Sequence, residues 1–590
     1  MAEAPDSAQR RRALDPQRSF IVQAPAGSGK TELLIQRHLA LLARVERPEE
    51  IVAITFTRKA AAEMRKRVFG ALANARREPR PAEEHAARTW DLARAALEAN
   101  DRLGWKLEEN AARLRVQTID ALCVSLTRRM PIVSRLGAQP ETIDDASAHY
   151  EEAARNLLAA VEIPDDPRHE DVARVLAHLD NDVDNAIELV VDMLASREHW
   201  LRTVGRANDR AALEAALVQV RAAAAERCRA LYPAAPAGVE AMVAFANARL
   251  TREGKWRERD TLSQKLKDDE RLREALAAMQ KLPPPCYTDE QWAALDAITR
   301  ILPRAVAELR LVFAARNQCD FVEVAQGAVR ALRDAEGPTD LMLTLDYRIR
   351  HILVDEFQDT SHAQHELLTL LTEGWEPGDG RTLFVVGDPM QSIYRFRQAE
   401  VGLFLDARHA GIAAVALEPL TLSANFRSQP AIVRWVNDAF RRILPAQDDI
   451  PAGAVGYSES VAMPAVDGPA VEVHPFFDND RDGEAAHVVA LVKGARAADP
   501  EGTVGILVRS RGRLEQIVRA LRASGLRFRA VEIEPLAQRT VVQDLVAITY
   551  ALTHLGDRTA WLSILRAPWC GLKLADLLAL GPSGTVWEAM

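Results

Sequence analysis

The sequence predicts an α/β fold: a parallel sheet interrupted by a large helical insertion, with a second α/β pattern after it. Three observations carry this. Up to about residue 75, and again from about 345 to 430, short β-branched runs alternate with Gly-, Asp- and Thr-rich turns: SFIVQAPAGSGKT, EIVAITFT, RIRHILVDE and RTLFVVGD. Each run ends in a polar loop followed by a helical pattern, as buried parallel strands do. Between them, residues 76–115 and 145–330 are rich in Ala, Arg, Glu and Leu, as in DVARVLAHLDNDVDNAIELVVDMLASREHWLRTV, with helical periodicity and little strand character. From near 415 a second pattern begins; it includes an expected strand, TVGILVRS, followed by the helical LEQIVRALRASG. The segment KLPPPCYTD reads as a linker within the insertion.

With 590 residues the chain is long enough for several domains, since single cores stop growing at roughly 250–300 residues. Hydrophobic residues at 48% and charged residues at 27% are those of an ordinary globular protein. No apolar run approaches the roughly 18 residues of a membrane span. The opening MAEAPDSAQRRRALDP has arginines without an apolar stretch behind them, so it is not a secretory signal. Five scattered cysteines, with no CxxC, suit neither a disulfide framework nor a zinc or iron–sulfur site, and a reducing cytoplasm is expected. A net charge of −9 excludes a uniformly basic coat but not a local basic groove for nucleic acid.

The strongest motif follows the first expected strand: Ala24-Pro25-Ala26-Gly27-Ser28-Gly29-Lys30-Thr31. A glycine-rich loop opening a helix lets backbone N–H groups approach phosphate closely, with the positive helix end behind them. Lys30 is expected to reach the β- and γ-phosphates of ATP, and Thr31 to ligate Mg²⁺. A glycine-rich turn with a chance Lys-Thr is the bland alternative, and the order strand, loop, helix argues against it. The second half of such a site is an acidic residue ending another apolar strand, and Ile352-Leu353-Val354-Asp355-Glu356-Phe357-Gln358-Asp359-Thr360 supplies it. Asp355 is expected to hold the Mg²⁺ through its water shell, and Glu356 to orient and deprotonate the attacking water.

These two motifs resemble motifs I and II of the UvrD/Rep-like superfamily 1 helicases, and further matches follow in that family's order. ITFTRKAAAEMRKRV (54–68) resembles motif Ia, VQTIDALC (116–123) the next DNA-contacting motif, VVGDPMQSIYRFRQAE (385–400) motif III and LTLSANFRSQPAIV (420–433) motif IV. Gln9, 21 residues before Lys30, resembles the family's adenine-reading glutamine. ILVRSRGRLEQI (506–517) and RTVVQDLVAI (539–548) resemble later parts of a second motor lobe. The resemblance implies a RecA-like lobe with its phosphate loop and motif Ia in 1–75, helical in 76–115, resumed in 116–145, interrupted by a 1B-like insertion in 146–330 and completed in 331–415. It also implies a second RecA-like lobe beginning in 416–565 and the start of a 2B-like insertion in 566–590.

Roles carry over by position. Gln391 would sense the γ-phosphate, Phe426 would stack on adenine, and Arg427 would reach the γ-phosphate as an arginine finger. On the DNA side, Phe56, Tyr394 and Phe396 are candidate base-stacking rings, with Thr55 and Thr57 placed to hydrogen-bond backbone phosphates. Arg397 is expected to brace motif III. The sequence departs from the family at Ala24, where the generic loop has glycine but relatives share the substitution. Asp120 stands where histidine is frequent. Nothing after Arg427 resembles motifs V and VI, so the chain reads as truncated, and hydrolysis and unwinding by it alone are expected to be poor.

The EFQDTS wording, the large insertion and Cys319-Asp320-Phe321 resemble the AddA/RecB branch. The resemblance implies an ATP- and Mg²⁺-dependent helicase moving 3′ to 5′ on single-stranded DNA in double-strand-break repair and recombination. It further implies action at duplex ends, a partner subunit of an exonuclease complex, and no membrane. The alternatives are a stand-alone UvrD/Rep-type repair helicase, a catalytically silent DNA-binding subunit, and a P-loop ATPase acting on protein.

Overall fold

Apolar runs of four to six residues become strands because each can bury both faces only inside a sheet covered by helices on both sides. The computed structural model describes residues 4–137, 139–204, 209–257, 260–267, 269–334, 337–393, 400–449, 453–463, 468, 470–529, 540–581 and 584–590. Tyr394, Phe396 and Arg397 lie outside these residues. The chain divides into two units, Met1–Val471 and Glu472–Met590.

In the first unit the strands, in chain order, are β1 (Phe20–Gln23), β2 (Ile51–Thr55), β3 (Arg115–Thr118), β4 (Glu141–Thr142), β5 (Gln318–Cys319), β6 (His351–Val354), β7 (Thr382–Gly387), β8 (Glu418–Thr421), β9 (Ala424–Asn425) and β10 (Val461–Ala462). Six of them form one sheet in the order β3-β2-β6-β7-β1-β8. Every pairing in it is parallel, with Phe20 opposite Phe384 and Ile51 opposite His351. Period-two alternation sorts the side chains. Ile21, Val52, Ile54, Ile352, Val354, Leu383 and Val385 enter the core on one face. Phe20, Val22, Ala53, Leu353, Phe384 and Val386 enter the core on the other. Burying each such aliphatic or aromatic side chain contributes about 1.5–3 kcal/mol, so both faces specify the register.

The helix Lys30–Leu42 connects β1 to β2, and helices Arg58–Arg77 and Glu84–Leu103 connect β2 to β3. Inside the first of these, Arg37 is fully buried. It donates to the carbonyl oxygens of Ala13 (3.2 Å), Arg18 (2.7 Å) and Asp15, tying the residues before β1 to the sheet.

The helical insertion leaves and re-enters at one place, because β4 and β5 pair in parallel, Glu141 opposite Gln318 and Thr142 opposite Cys319. Its described residues run through nine helices from Ser147 to Arg316. The nearer ones share the core on one sheet face, while Ala224, Cys228, Met242, Leu250, Leu272 and Leu276 make a separate smaller core. Asp320 locks the base of the insertion. It accepts from Arg197 (2.6 Å), Tyr150 (2.6 Å) and the Glu323 amide (2.8 Å), the last capping helix Phe321–Leu332. Burial pushes its carboxyl up, but Arg197, Tyr150 and the Glu323 amide outweigh this and hold it below the usual carboxylate range.

Two expectations change. The second α/β pattern is expected from near 415, yet β8 pairs with β1 and closes the first sheet, because the open edge of β1 offers a full set of ladder partners. In the second unit TVGILVRS is not a strand, and no strand is present among the described residues of 472–590. A parallel strand needs a hydrogen-bonded neighbour, and here Leu507 is 98% exposed. The helix Leu514–Ala523 does form, and its Ile517 and Leu521 pack with Ala485 and Val489 of helix Arg481–Ala498.

Candidate nucleotide site

The sheet brings three loops to the carboxyl ends of neighbouring strands, where an open parallel sheet binds its ligand. The loop after β1 turns sharply because Gly27 (φ +80°) and Gly29 (φ +75°) adopt left-handed conformations. Gly29 caps helix Lys30–Leu42, and no side chain hydrogen-bonds to that helix end. Ser28 is buried, and its hydroxyl has no protein hydrogen-bond partner. An uncapped helix N-terminus behind a left-handed glycine turn, with a lysine and a threonine opening the helix, fits the phosphates of ATP.

Lys30 Nζ pairs with Glu356 Oε2 across the site, joining residues far apart in the chain. Glu356 holds a left-handed backbone (φ +54°), which turns it away from the line of β6 and over the loop. Its carboxylate also accepts from Gln358 Nε2 at 2.9 Å. Asp355 ends β6 with its amide on the Ile54 carbonyl. Burial, with the neighbouring Glu356 charge, pushes its carboxyl up to about 6, a shift that the Lys30 charge only partly offsets. An anionic, poorly solvated carboxylate at a strand end is a suitable group to receive a hard cation such as Mg²⁺, together with Thr31. Burial and the Glu356 charge likewise push Asp359 up to about 6.

A hydrogen-bonded relay leads from this pair to the loop after β7. Gln358, almost fully buried, accepts from the Asp388 amide at 2.9 Å, and Asp388 in turn accepts from Gln391 Nε2. Ser392 donates to Asp359 Oδ1 at 3.1 Å. Gly387 permits the approach, since a Cβ there would lie 2.5 Å from Gln358 Oε1.

The segment after β8 packs directly on the phosphate loop. The Phe426 amide donates to the Gly27 carbonyl (2.8 Å), and Asn425 Nδ2 donates to the Ala26 carbonyl (3.1 Å). Asn425 Oδ1 accepts from the amides of Arg427 (2.9 Å) and Ser428 (2.8 Å). A Cβ at Gly27 would sit 2.5 Å from Asn425 Oδ1 and 3.0 Å from Arg427 Cβ, so glycine is required there twice over. Arg427 is exposed beside this loop, and Phe426 is 46% exposed, with the Arg10 guanidinium 5.2 Å from its ring centre. Arg10 also donates to the Ser28 carbonyl (2.7 Å) and pairs with Asp6, which accepts from the Ser423 and Ala424 amides. Gln9 accepts from the Thr421 amide at 2.8 Å.

Thus Gln9, the residues of the loop 24–31, Asp355, Glu356, Gln391, Phe426 and Arg427 gather around the ends of β1, β6, β7 and β8. Asp6, Arg10, Gln358, Asp388 and Asn425 join them, and sequence reasoning does not single them out. Asn425 lies within LTLSANFRSQPAIV, so its neighbourhood is the available signal; the others carry none.

The expected DNA contacts fare differently. Thr55 is buried in β2 and its hydroxyl donates to the Thr57 carbonyl at 3.2 Å, so it shapes the turn and does not face a strand of DNA. Phe56 is half-buried. Thr57 is exposed and accepts from the Ala60 amide at 3.1 Å, capping helix Arg58–Arg77. No helix among the described residues is long and apolar enough to cross a membrane.

Comparison with known proteins agrees with this geometry. Residues 6–410 match the UvrD/REP helicase N-terminal domain. Among curated relatives, the ATP-dependent helicase/nuclease subunit (AddA) of Lysinibacillus sphaericus (strain C3-41) is 27% identical over 520 residues, 75% of this chain and 40% of the relative. The protein of the same name from Desulforudis audaxviator (strain MP104C) is 28% identical over 543 residues, 78% and 42% respectively. That of Staphylococcus carnosus (strain TM300) is 36% identical over 153 residues, 25% and 12%. The chain therefore spans about two fifths of the length of the first two relatives. With the match covering more than half of its residues, the chain belongs to the UvrD/REP helicase N-terminal domain family.

Proposed function

We propose that the chain works as an ATP- and Mg²⁺-dependent DNA motor, a helicase subunit of the kind its relatives' name describes. It moves 3′ to 5′ on single-stranded DNA from duplex ends in double-strand-break repair, beside a partner subunit of an exonuclease complex. The observation that carries the reading is the Lys30–Glu356 pair set over the glycine turn, with Asp355 beside it at the end of β6. Lys30 binds the outer phosphates, Thr31 and Asp355 hold the cation, and Glu356 takes the proton of the attacking water. Gln358, Asp388 and Gln391 pass a change at Glu356 to the loop after β7, which leads into Tyr394 and Phe396, the candidate stacking rings. That relay gives hydrolysis a physical route to the grip on DNA. A catalytically silent subunit is disfavoured, because Lys30, Asp355 and Glu356 are intact and assembled.

No match for motifs V and VI follows Arg427 in the sequence, so we expect slow turnover by these 590 residues. The test measures ATP hydrolysis under single-turnover conditions with and without single-stranded DNA. Hydrolysis that DNA accelerates and Lys30→Ala abolishes is expected. Hydrolysis indifferent to DNA, or retained in Lys30→Ala, overturns the proposal.

A further inference from the structure

Outside the nucleotide site, three side chains from distant parts of the chain converge: His199, His362 and Glu400. One donor atom from each lies within 4.8 Å of the others. The two imidazole rings meet edge to face, centroids 5.8 Å apart. We propose that this cluster is a binding site for a divalent transition-metal ion, zinc before others. The ion would staple the helical insertion to the segments that follow β6 and β7.

The donor set selects the ion. Two imidazole nitrogens and one carboxylate oxygen are borderline ligands that suit Zn²⁺, Co²⁺ or Ni²⁺, whereas Mg²⁺ and Ca²⁺ demand oxygen. Donors bound tetrahedrally at about 2.0–2.2 Å stand roughly 3.3–3.6 Å apart. The site must therefore close by about an ångström from its widest spacing, within reach of a χ rotation of each side chain. Three protein donors leave the fourth position to water.

Each donor is mounted on an anchored element. His199 lies in helix Arg197–Val204, which Arg197 fixes through Asp320 (2.6 Å), while Glu198 accepts from the Ala363 amide. His362 opens helix His362–Thr372, whose Ser361–Gln364 capping box sets its first turn. The Glu400 amide donates to the Thr360 carbonyl (3.2 Å) and one carboxylate oxygen accepts from the Gly402 amide (3.1 Å), leaving the second oxygen for coordination. The nearby cation, Arg202, is paired with Glu366, so the local charge does not oppose a dication. Simple hydrogen bonding among these groups needs no such meeting of three elements.

The test uses the whole chain, stripped with a chelator and titrated with Zn²⁺ and with Co²⁺ in excess Mg²⁺ and without nucleotide. One equivalent of zinc should bind and raise the melting temperature, and Co²⁺ should give the visible absorption of a low-coordinate nitrogen–oxygen site. His199→Ala, His362→Asn and Glu400→Gln should each weaken zinc binding at least tenfold and abolish its thermal effect. His474→Ala, in the second unit, should change neither. Circular dichroism and melting without zinc report whether each variant folds. No zinc uptake by the wild-type chain overturns the proposal. So does uptake that a folded His199→Gln/His362→Asn double variant retains, or that His474→Ala loses. None of these readouts depends on ATP turnover, so the result stands apart from the proposed motor function.

Discussion

Replacing Glu356 by Gln separates binding from chemistry. The substitution keeps the size of the side chain and its contact with Gln358, but removes the base and the charge that holds Lys30. In the nucleotide-free site the Lys30–Glu356 side chains are 20% and 32% exposed, so the pair is screened and contributes about 1 kcal/mol. ATP must compete with Glu356 for Lys30. Without that competition ATP should bind no worse, and up to about fivefold tighter. The chemical step loses its proton acceptor and should slow by roughly 10²–10⁴. Equilibrium titration of a fluorescent ATP analogue gives the affinity, and single-turnover hydrolysis in the presence of single-stranded DNA gives the rate. Affinity and rate falling together would refute the reasoning and make Glu356 a structural residue. An unchanged rate would refute it equally, by removing Glu356 from the chemistry.

Asp355 titrates near 6 in the nucleotide-free site, so Mg²⁺ binding to the free protein should weaken as pH falls through 6 and level off above 7; Asp355→Asn should flatten the profile. The same shift has a stability sign: a carboxyl raised above its unfolded value stabilises the fold at low pH, and that contribution disappears as pH rises through about 6. Asp320 has the opposite sign. Its lowered carboxyl stabilises the fold above the unfolded value and loses this as pH falls through the folded one. Asp320→Ala leaves Arg197 buried and unpaired and should cost about 3–5 kcal/mol in urea unfolding, with ATP affinity of the folded fraction unchanged. Phe426→Ala should weaken ATP and GTP alike by about 1–3 kcal/mol, since stacking does not read base edges, and titration of both nucleotides checks it.

The nucleotide site was legible where chemistry restricts a position to one residue type. Only glycine readily takes the φ of residues 27 and 29, and a run such as ILVDE ends a buried strand on a carboxylate whatever surrounds it. What could not be read depends on approach through space. Asp6 and Arg10 look like solvated charges on a short helix, yet they bridge the phosphate loop to the end of β8. Gln358 and Asp388 carry no spacing signal, because their bond arises from the pairing of β6 with β7. β8 looked like the start of a second sheet, since an apolar run does not announce which edge it joins. Thr55 looked accessible beside Phe56, but the β2 strand runs one residue further than a surface contact allows. His199, His362 and Glu400 lie in three segments with unrelated patterns, and only the fold brings them together.

The central claim is that the loop 24–31 and the Asp355–Glu356 pair form one Mg·ATP site, and its most direct measurement is equilibrium ATP binding. Titrations compare the wild-type chain with Lys30→Ala and Asp355→Asn, each with Mg²⁺ and with a chelator. The account predicts that the wild type binds ATP more tightly with Mg²⁺. Lys30→Ala should bind at least tenfold more weakly in either condition, and Asp355→Asn should lose the Mg²⁺ dependence, with melting curves of both variants close to wild type. Wild-type affinity in folded Lys30→Ala, or a Mg²⁺ effect that survives in folded Asp355→Asn, would contradict it.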